Sequence, residues 1–397
     1  MKKRIAALFL TLLLLTGCGG PKNLAPKQTA AAGEVPAPDA EALTDFSLDL
    51  LRENWGENVL ISPLSILCAL GMTANGAAGE TLAQMEDVLG VPAARLNEDL
   101  GAWTGSYAED ETLKLANSLW FRDDGSFHPK EAFLETAGKV YGAEVFPSKL
   151  SAETAGQINQ WVKKHTDGMI ERIIEEIPEE AVLYLINALS LDAEWEKIYR
   201  QDQVRDREFT TEEGIKQPAE LMYSSEGLYM KDDHAQGFLK PYKGGRWAFG
   251  AILPEEGLSL KDYAESLTGA RLRELLDAEE ASVDTGIPKF KAACSLTLND
   301  SLTALGMPDA FDISRADFSG MGISDAGPLY ISKVLHKTAI EVDERGTKAG
   351  AATAVEASGG GAPDTIPKVI LNRPFLYMLV DLETNFPVFI GAVTTLE

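Results

Sequence analysis

Glu344-Arg345-Gly346-Thr347-Lys348-Ala349-Gly350-Ala351-Ala352-Thr353 joins a charged, turn-prone start to a run of small side chains near the end of a 397-residue chain. Further on, Asn372-Arg373-Pro374-Phe375 opens an apolar run through Leu376, Tyr377, Met378, Leu379 and Val380 that reads as a buried strand. The first stretch reads as a hinge, and the residues between the two as an exposed loop. Successive side chains of a strand point to opposite faces, so a period-2 reading tests whether the hinge can become one. One face carries Thr347, Ala349, Ala351, Thr353, Val355 and Ala357, all small or β-branched and uncharged; the other carries Lys348, Gly350, Ala352, Ala354 and Glu356. The first face can be buried while the second stays wet. Alanine and glycine are poor strand formers, so this segment enters a sheet only where a gap already waits for it. Taken alone, an Ala/Gly run reads equally as a linker or an Ala-rich helix.

The rest of the chain decides between these readings. In Asn58-Val59-Leu60-Ile61-Ser62-Pro63-Leu64-Ser65, Ser62 suits an N-cap and Pro63 the first helical position. Ile66, Leu67, Leu70 and Met72 then supply an apolar helix surface, with Gly76 and Thr81 beyond it. Leu115-Ala116-Asn117-Ser118-Leu119-Trp120 follows, then Ile158-Asn159-Gln160-Trp161-Val162 in a helical stretch with Thr166, Gly168 and Ile170 beyond it, and Leu185-Ile186-Asn187-Ala188-Leu189 in a strand-like run before Trp195. Pro288-Lys289-Phe290-Lys291, His336-Lys337 and Phe389-Ile390-Gly391 complete the series. Asn187 inside an apolar strand and His336 beside one need polar partners if buried. In this order, and together with the hinge, the motifs resemble the serpin family from about residue 41 to the end.

That resemblance implies an α+β serpin fold: a large central mixed β-sheet, two smaller sheets, surrounding helices and an exposed C-terminal reactive loop. It also implies a function, suicide-substrate inhibition of serine, or cysteine, endopeptidases. A protease nucleophile attacks the loop to form an acyl-enzyme, and the freed segment from Thr347 then adds to the sheet as a strand, dragging the protease with it. The resemblance assigns hinge roles to Glu344, Gly346, Thr347, Ala349, Ala351, Ala352 and Thr353, and hinge restraint to Lys289 and Trp195. Ser62, Ser65, Asn187 and His336 match a hydrogen-bonded cluster that gates sheet opening. Small uncharged inward residues favour an inhibitory member over a non-inhibitory one. Lys348 stands where the family usually has Glu, and Leu191-Asp192-Ala193-Glu194-Trp195 replaces the usual Phe-Lys-Gly-x-Trp.

The family's spacing from Glu344 places the bait bond after Gly360, whereas counting back from Pro374-Phe375 points near Pro363, so the candidate region spans Gly360, Gly361 and Ala362. Ala349 to Pro367 contains no Lys, Arg or aromatic residue. Small bait residues suit elastase-like or subtilisin-like targets. Two alternatives stay open: a non-inhibitory serpin acting as a surface binding or scaffold protein, and a cell-surface hydrolase with an unrecognised site.

Composition agrees with one large globular domain. A hydrophobic fraction of 45% supports a sizeable core. Strand-like runs over 183–191, 247–253, 283–291, 329–335 and 376–381 alternate irregularly with helical stretches over 128–141, 155–164 and 296–305, a pattern of α+β and not of a doubly wound α/β protein. At the N-terminus Met1-Lys2-Lys3-Arg4 precedes an apolar run that ends Leu15-Thr16-Gly17-Cys18, which reads as a signal peptide and resembles a bacterial lipobox. The expected organisation is a leader over 1–17, lipidated Cys18 and a flexible stalk over 18–40, and a serpin domain over 41–397 with its hinge and loop at 344–367. That places the protein on a bacterial cell surface or envelope, anchored in the membrane by its N-terminal lipid.

Net charge is −25, and loss of Lys2, Lys3 and Arg4 with the leader takes it to −28. So acidic a surface disfavours nucleic acid and anionic polysaccharide. The resemblance implies that the basic helix through which some serpins respond to heparin would fall at about residues 81–104, where Arg95 is the only cation, so no heparin switch is expected. Cys68 and Cys294 suggest no disulfide framework. There is no G-x-S-x-G, H-E-x-x-H, P-loop or paired C-x-x-C, and the four histidines are scattered singly. The expectation is therefore no catalytic residue, metal or cofactor, and a monomer whose partner is a covalently trapped protease.

Overall fold

The computed structural model describes residues 22–24, 40–107, 110–179, 181–325, 327–347 and 366–396. Its first half comprises α1 (Ala40–Glu53), β1 (Leu60–Ile61), α2 (Pro63–Ala74), α3 (Gly79–Leu89), α4 (Ala93–Tyr107), β2 (Leu113–Arg122), β3 (Phe127–Pro129), α5 (Glu131–Tyr141), β4 (Glu144–Ser148), α6 (Ala152–His165) and β5 (Leu183–Leu191). Next come β6 (Ala193–Glu194), β7 (Val204–Thr210), β8 (Lys216–Lys231), β9 (Ala235–Pro241), β10 (Trp247–Pro254), α7 (Leu260–Ser266), α8 (Gly269–Leu276), β11 (Glu279–Pro288), β12 (Phe290–Thr297) and α9 (Asn299–Leu305). The last elements are β13 (Gly322–Ser324), β14 (Leu335–Val342), β15 (Gly346–Thr347), β16 (Lys368–Ile370), β17 (Phe375–Asp381) and β18 (Phe386–Val393).

Local chemistry accounts for the element that anchors the site. Ser62 caps α2, its hydroxyl accepting from the Ser65 N–H, with Pro63 in the first turn. Every residue of α2 except Ala69 is buried, as expected of a helix apolar all round. It packs against β5 and β18, beneath the central sheet and against the largest one.

That largest sheet runs β1-β18-β17-β10-β9-β8-β11-β16, with β7 also paired to β8. β17 and β18 are buried along their full lengths and form the middle of the core. The central sheet is divided. One part is β4-β2-β5, with β4 parallel and β5 antiparallel to β2; the other is β12-β14-β15-β6. The strands themselves join at the top, where β5 runs through Asp192 into β6. Among the described residues no ladder connects β5 to β14.

Four sequence expectations shift. The strand read over 283–291 divides at Lys289 into β11 and β12, and the helix read over 296–305 starts at Asn299 because Leu296 and Thr297 still pair with β14. The strand expected over 329–335 lies at Leu335–Val342 instead, because the preceding backbone is bonded elsewhere: Ile331 N–H to Ala310 O and Val334 N–H to Asn299 Oδ1. The helix expected from 128 starts at Glu131, since Phe127–Pro129 is a strand pairing with Gly322–Ser324. Within the stretch read as a stalk, Leu24 N–H donates to Val145 O at 2.8 Å and Val145 N–H to Asn23 Oδ1 at 2.9 Å, so these residues lie on the open edge of β4.

Candidate functional site

The hinge begins as a strand. Thr347 pairs with Val342 of β14 on one side and Ala193 of β6 on the other, and Gly346 pairs with Glu194. Gly346 is required by close approach: a Cβ there would lie 1.9 Å from Ala193 O. Thr347 is only 1% exposed, and its hydroxyl bonds the Tyr242 hydroxyl. Tyr242 stacks on Trp195 with centroids 4.5 Å apart.

Backbone carbonyls just before the strand are held in turn. Trp195 Nε1 donates to Asp343 O at 2.9 Å, Trp195 N–H to Arg345 O at 2.9 Å, and Tyr199 N–H to Glu344 O at 2.8 Å. Asp343 Oδ1 accepts from the N–H groups of Arg345 and Gly346, closing a tight turn. Lys289 Nζ sits 3.1 Å from Glu344 and 3.3 Å from Glu220. Partial burial pushes the Glu344 carboxyl up, but backbone hydrogen bonding and the Lys289 ammonium more than offset it and hold the group below its ordinary value. These contacts form a shelf on which the hinge rests.

Lower in the sheet, the N-terminus of α2 reaches both parts. Ser62 N–H donates to His336 Nε2 at 3.0 Å on β14, and Ser62 Oγ donates to Val388 O at 2.9 Å. Ser65 Oγ donates to Asn187 Oδ1 on β5, Asn187 Nδ2 to Asn117 Oδ1 at 2.7 Å on β2, and Asn117 Nδ2 to Tyr141 O at 2.7 Å. A bond to the ring nitrogen from an N–H requires neutral imidazole, and burial pushes His336 down to about 4. The two parts of the sheet are thus bridged through one helix end. Between β5 and residues 328–334 lies a cleft of about 230 Å3, lined from α2 by Ser65, Ile66 and Leu70.

The structure therefore brings Ser62, Ser65, Asn187 and His336 into one network, and places Glu344, Gly346, Thr347, Lys289 and Trp195 in the shelf. Ala349, Ala351, Ala352, Thr353, Gly360, Gly361, Ala362 and Cys18 lie outside the described residues. Asn117, Tyr199 and Tyr242 were missed from sequence. Asn117, a lone amide in an apolar strand, carried the same signal as Asn187; the tyrosines carried none. Among the described residues no group of three or more His, Cys, Asp or Glu side chains could hold a metal.

A family profile described as Serpin (serine protease inhibitor) matches residues 41–396. The chain belongs to the serpin family. An uncharacterized serpin-like protein from Thermococcus kodakarensis is 32% identical over 371 residues, covering 89% of this chain and 85% of that protein. Leukocyte elastase inhibitor A from Rattus norvegicus is 33% identical over 357 residues, 85% of this chain and 92% of the relative. Among solved structures, this serpin superposes on the thermophilic serpin tengpin in its native state with a TM-score of 0.87 at 42% identity, covering 95% of this chain and all of the other. Against tengpin in its latent state the TM-score is 0.81 at 40% identity, over 92% of this chain and all of the other. The fold is the mixed α+β serpin architecture, and the family's members are usually protease inhibitors.

Proposed function

We propose that this serpin is a suicide-substrate inhibitor of serine endopeptidases, held at a bacterial cell surface by a lipid on Cys18. The observation that carries the reading is the placement of Gly346 and Thr347, already paired between β14 and β6 above two strands that no ladder joins among the described residues. A protease nucleophile adds to a bait carbonyl and expels the amine of the following residue, leaving an acyl ester. Freed at that end, the chain from Thr347 pairs downward between β14 and β5. At roughly 3.3 Å per residue, about fourteen residues carry the ester on the order of 45 Å. Ten or so new ladder hydrogen bonds at about 1 kcal/mol each are comparable with the folding stability of the protease, whose active site is distorted before water reaches the ester.

The bait region Gly360, Gly361 and Ala362 suits an enzyme with a small specificity pocket, elastase-like or subtilisin-like. The role is stoichiometric, without turnover. Mixing the Cys18→Ser chain with elastase, subtilisin and trypsin should give a band stable in denaturing gels, shifted by the mass of elastase or subtilisin. Mass spectrometry of the released C-terminal peptide then locates the bond. Clean cleavage without a covalent band across a broad protease panel would replace this reading by a non-inhibitory one. For the anchor, fatty-acid labelling should be present in the intact chain and absent from Cys18→Ser.

A further inference from the structure

Beneath the hinge shelf lies a charge pair that neither the hinge nor the α2 network uses. Lys240 Nζ on β9 and Glu226 Oε1 on β8 are 2.7 Å apart, with side chains only 1% and 7% exposed. Lysine is almost never buried this deeply unless paired. Burial nevertheless holds the Lys240 ammonium below its ordinary value against the attraction of Glu226. As a source of stability such a pair is weak, because desolvation offsets much of the attraction and two apolar residues of similar size often serve as well. Its neighbours indicate a more specific role.

Lys240 Nζ lies 4.5 Å from the centroid of the Tyr199 ring and 5.4 Å from that of Trp195, both within cation–π range. Glu226 Oε1 also accepts from Ser224 Oγ, which stands 3.1 Å from the Tyr199 hydroxyl and 3.0 Å from Thr285 Oγ1. Tyr199 is therefore held at its ring face by the ammonium and at its hydroxyl through Ser224. The two aromatic residues in contact with Lys240 are the two whose backbone N–H groups hold the hinge carbonyls of Glu344 and Arg345. A continuous set of contacts runs from the buried pair through the rings to the start of the hinge strand.

We propose that Lys240 and Glu226 are positioning residues for loop insertion, clamping Trp195 and Tyr199 from below and so fixing the register at which the hinge enters the sheet. This rests on the inhibitory reading above. A one-residue slip in a strand turns every side chain to the opposite face, which would bury the Lys348 side and expose the Thr347 side. A firmly seated first pair prevents that slip. If the rings tilt freely, correct zippering starts later, and water has longer to hydrolyse the acyl ester.

The test uses the full chain carrying Lys240→Met with Glu226→Leu, which replaces the pair by apolar groups. Tyr199→Phe is a second, milder variant that keeps the ring and the amide but cuts the link to Ser224. Residue-resolved hydrogen exchange should be faster by about tenfold or more at the Trp195 and Tyr199 amides, with β17 and β2 protected as in the wild type. The stoichiometry of inhibition against the trapped protease should rise, more in the double variant than in Tyr199→Phe. Wild-type exchange at both amides in both variants overturns the proposal. So does a uniform loss of protection across the chain, which would make the pair a general stabiliser, and so does faster exchange with unchanged stoichiometry. A wild-type chain that traps no protease defeats the inhibitory reading, and with it the role in insertion, while the exchange measurement still decides whether the clamp exists.

Discussion

His336 shows how much one protonation state can govern. Its ring accepts the Ser62 N–H at full burial, and burial pushes its pKa down to about 4. In the unfolded chain the same ring has a pKa near 6.5, so between the two values the unfolded state binds a proton that the native state refuses. A depressed pKa means stability that is fully present above about 6.5 and is lost as pH falls through about 4. By pH 4.5 the loss should reach about 2 to 3 kcal/mol, and it should fall on the contact that attaches β14 to α2. Urea unfolding of wild type and His336→Gln at pH 7.5 and 4.5 measures it: the wild type should lose more stability over this interval, and equal losses would remove His336 from the account. Lys240 and Glu226 are a contrasting case at the same scale. Each is unremarkable in the sequence, and only the fold places them 2.7 Å apart beneath two aromatic rings.

At the scale of elements, legibility followed how local the cause is. Ser62-Pro63 placed the start of α2 because a cap and a first-turn proline act within a few residues. The apolar run at 376–380 marked β17 for the same reason, since each of its residues is buried. Residues 329–334 read as a strand yet pair with nothing in a ladder, because their hydrogen bonds go to Leu298 and Asn299 at the start of α9 and to Ala310 in the short turn that follows it. No local pattern encodes such a long-range competition. Asn117 and Asn187 join β2 to β5 and then, through Ser65, to α2, so their network is a property of three elements at once. Asn187→Ala should leave Asn117 Oδ1 without its donor and cost about 1 to 3 kcal/mol. Because Ser65 would also lose its contact with β5, the cleft between β5 and residues 328–334 should open more often. Thermal unfolding measures the cost, and binding of a synthetic peptide with the sequence of residues 347–358 measures the opening. Unchanged peptide binding in a destabilised variant would confine the network to a folding role.

For the whole molecule, the inhibitory reading requires that one sequence support two arrangements of the same sheet. In the described arrangement, β15 is a two-residue strand at the top, and below it no ladder joins β14 to β5 among the described residues; the Ser62 N–H and the Ser65 hydroxyl of α2 bridge them. Among the described residues, backbone groups along the facing edges have no ladder partner across the gap, a state that a further strand would relieve. The residues following Thr347 alternate small uncharged side chains with Lys348, Gly350 and Ala352, so a strand made from them can bury one side without burying charge. On that reading, connection at both ends keeps the arrangements apart, since the segment leaves Thr347 and must return to β16 at Lys368, which pairs in parallel with β11. Cutting between them removes that constraint. Limited proteolysis with a zinc metalloprotease that cuts beside apolar residues such as Val355, and that forms no acyl-enzyme to be trapped, should therefore raise the midpoint of thermal unfolding by at least about 10 °C. A cleaved chain that melts at the temperature of the intact one would show that the gap does not accept the segment, and the molecule would then have to be a fixed scaffold despite its seated hinge.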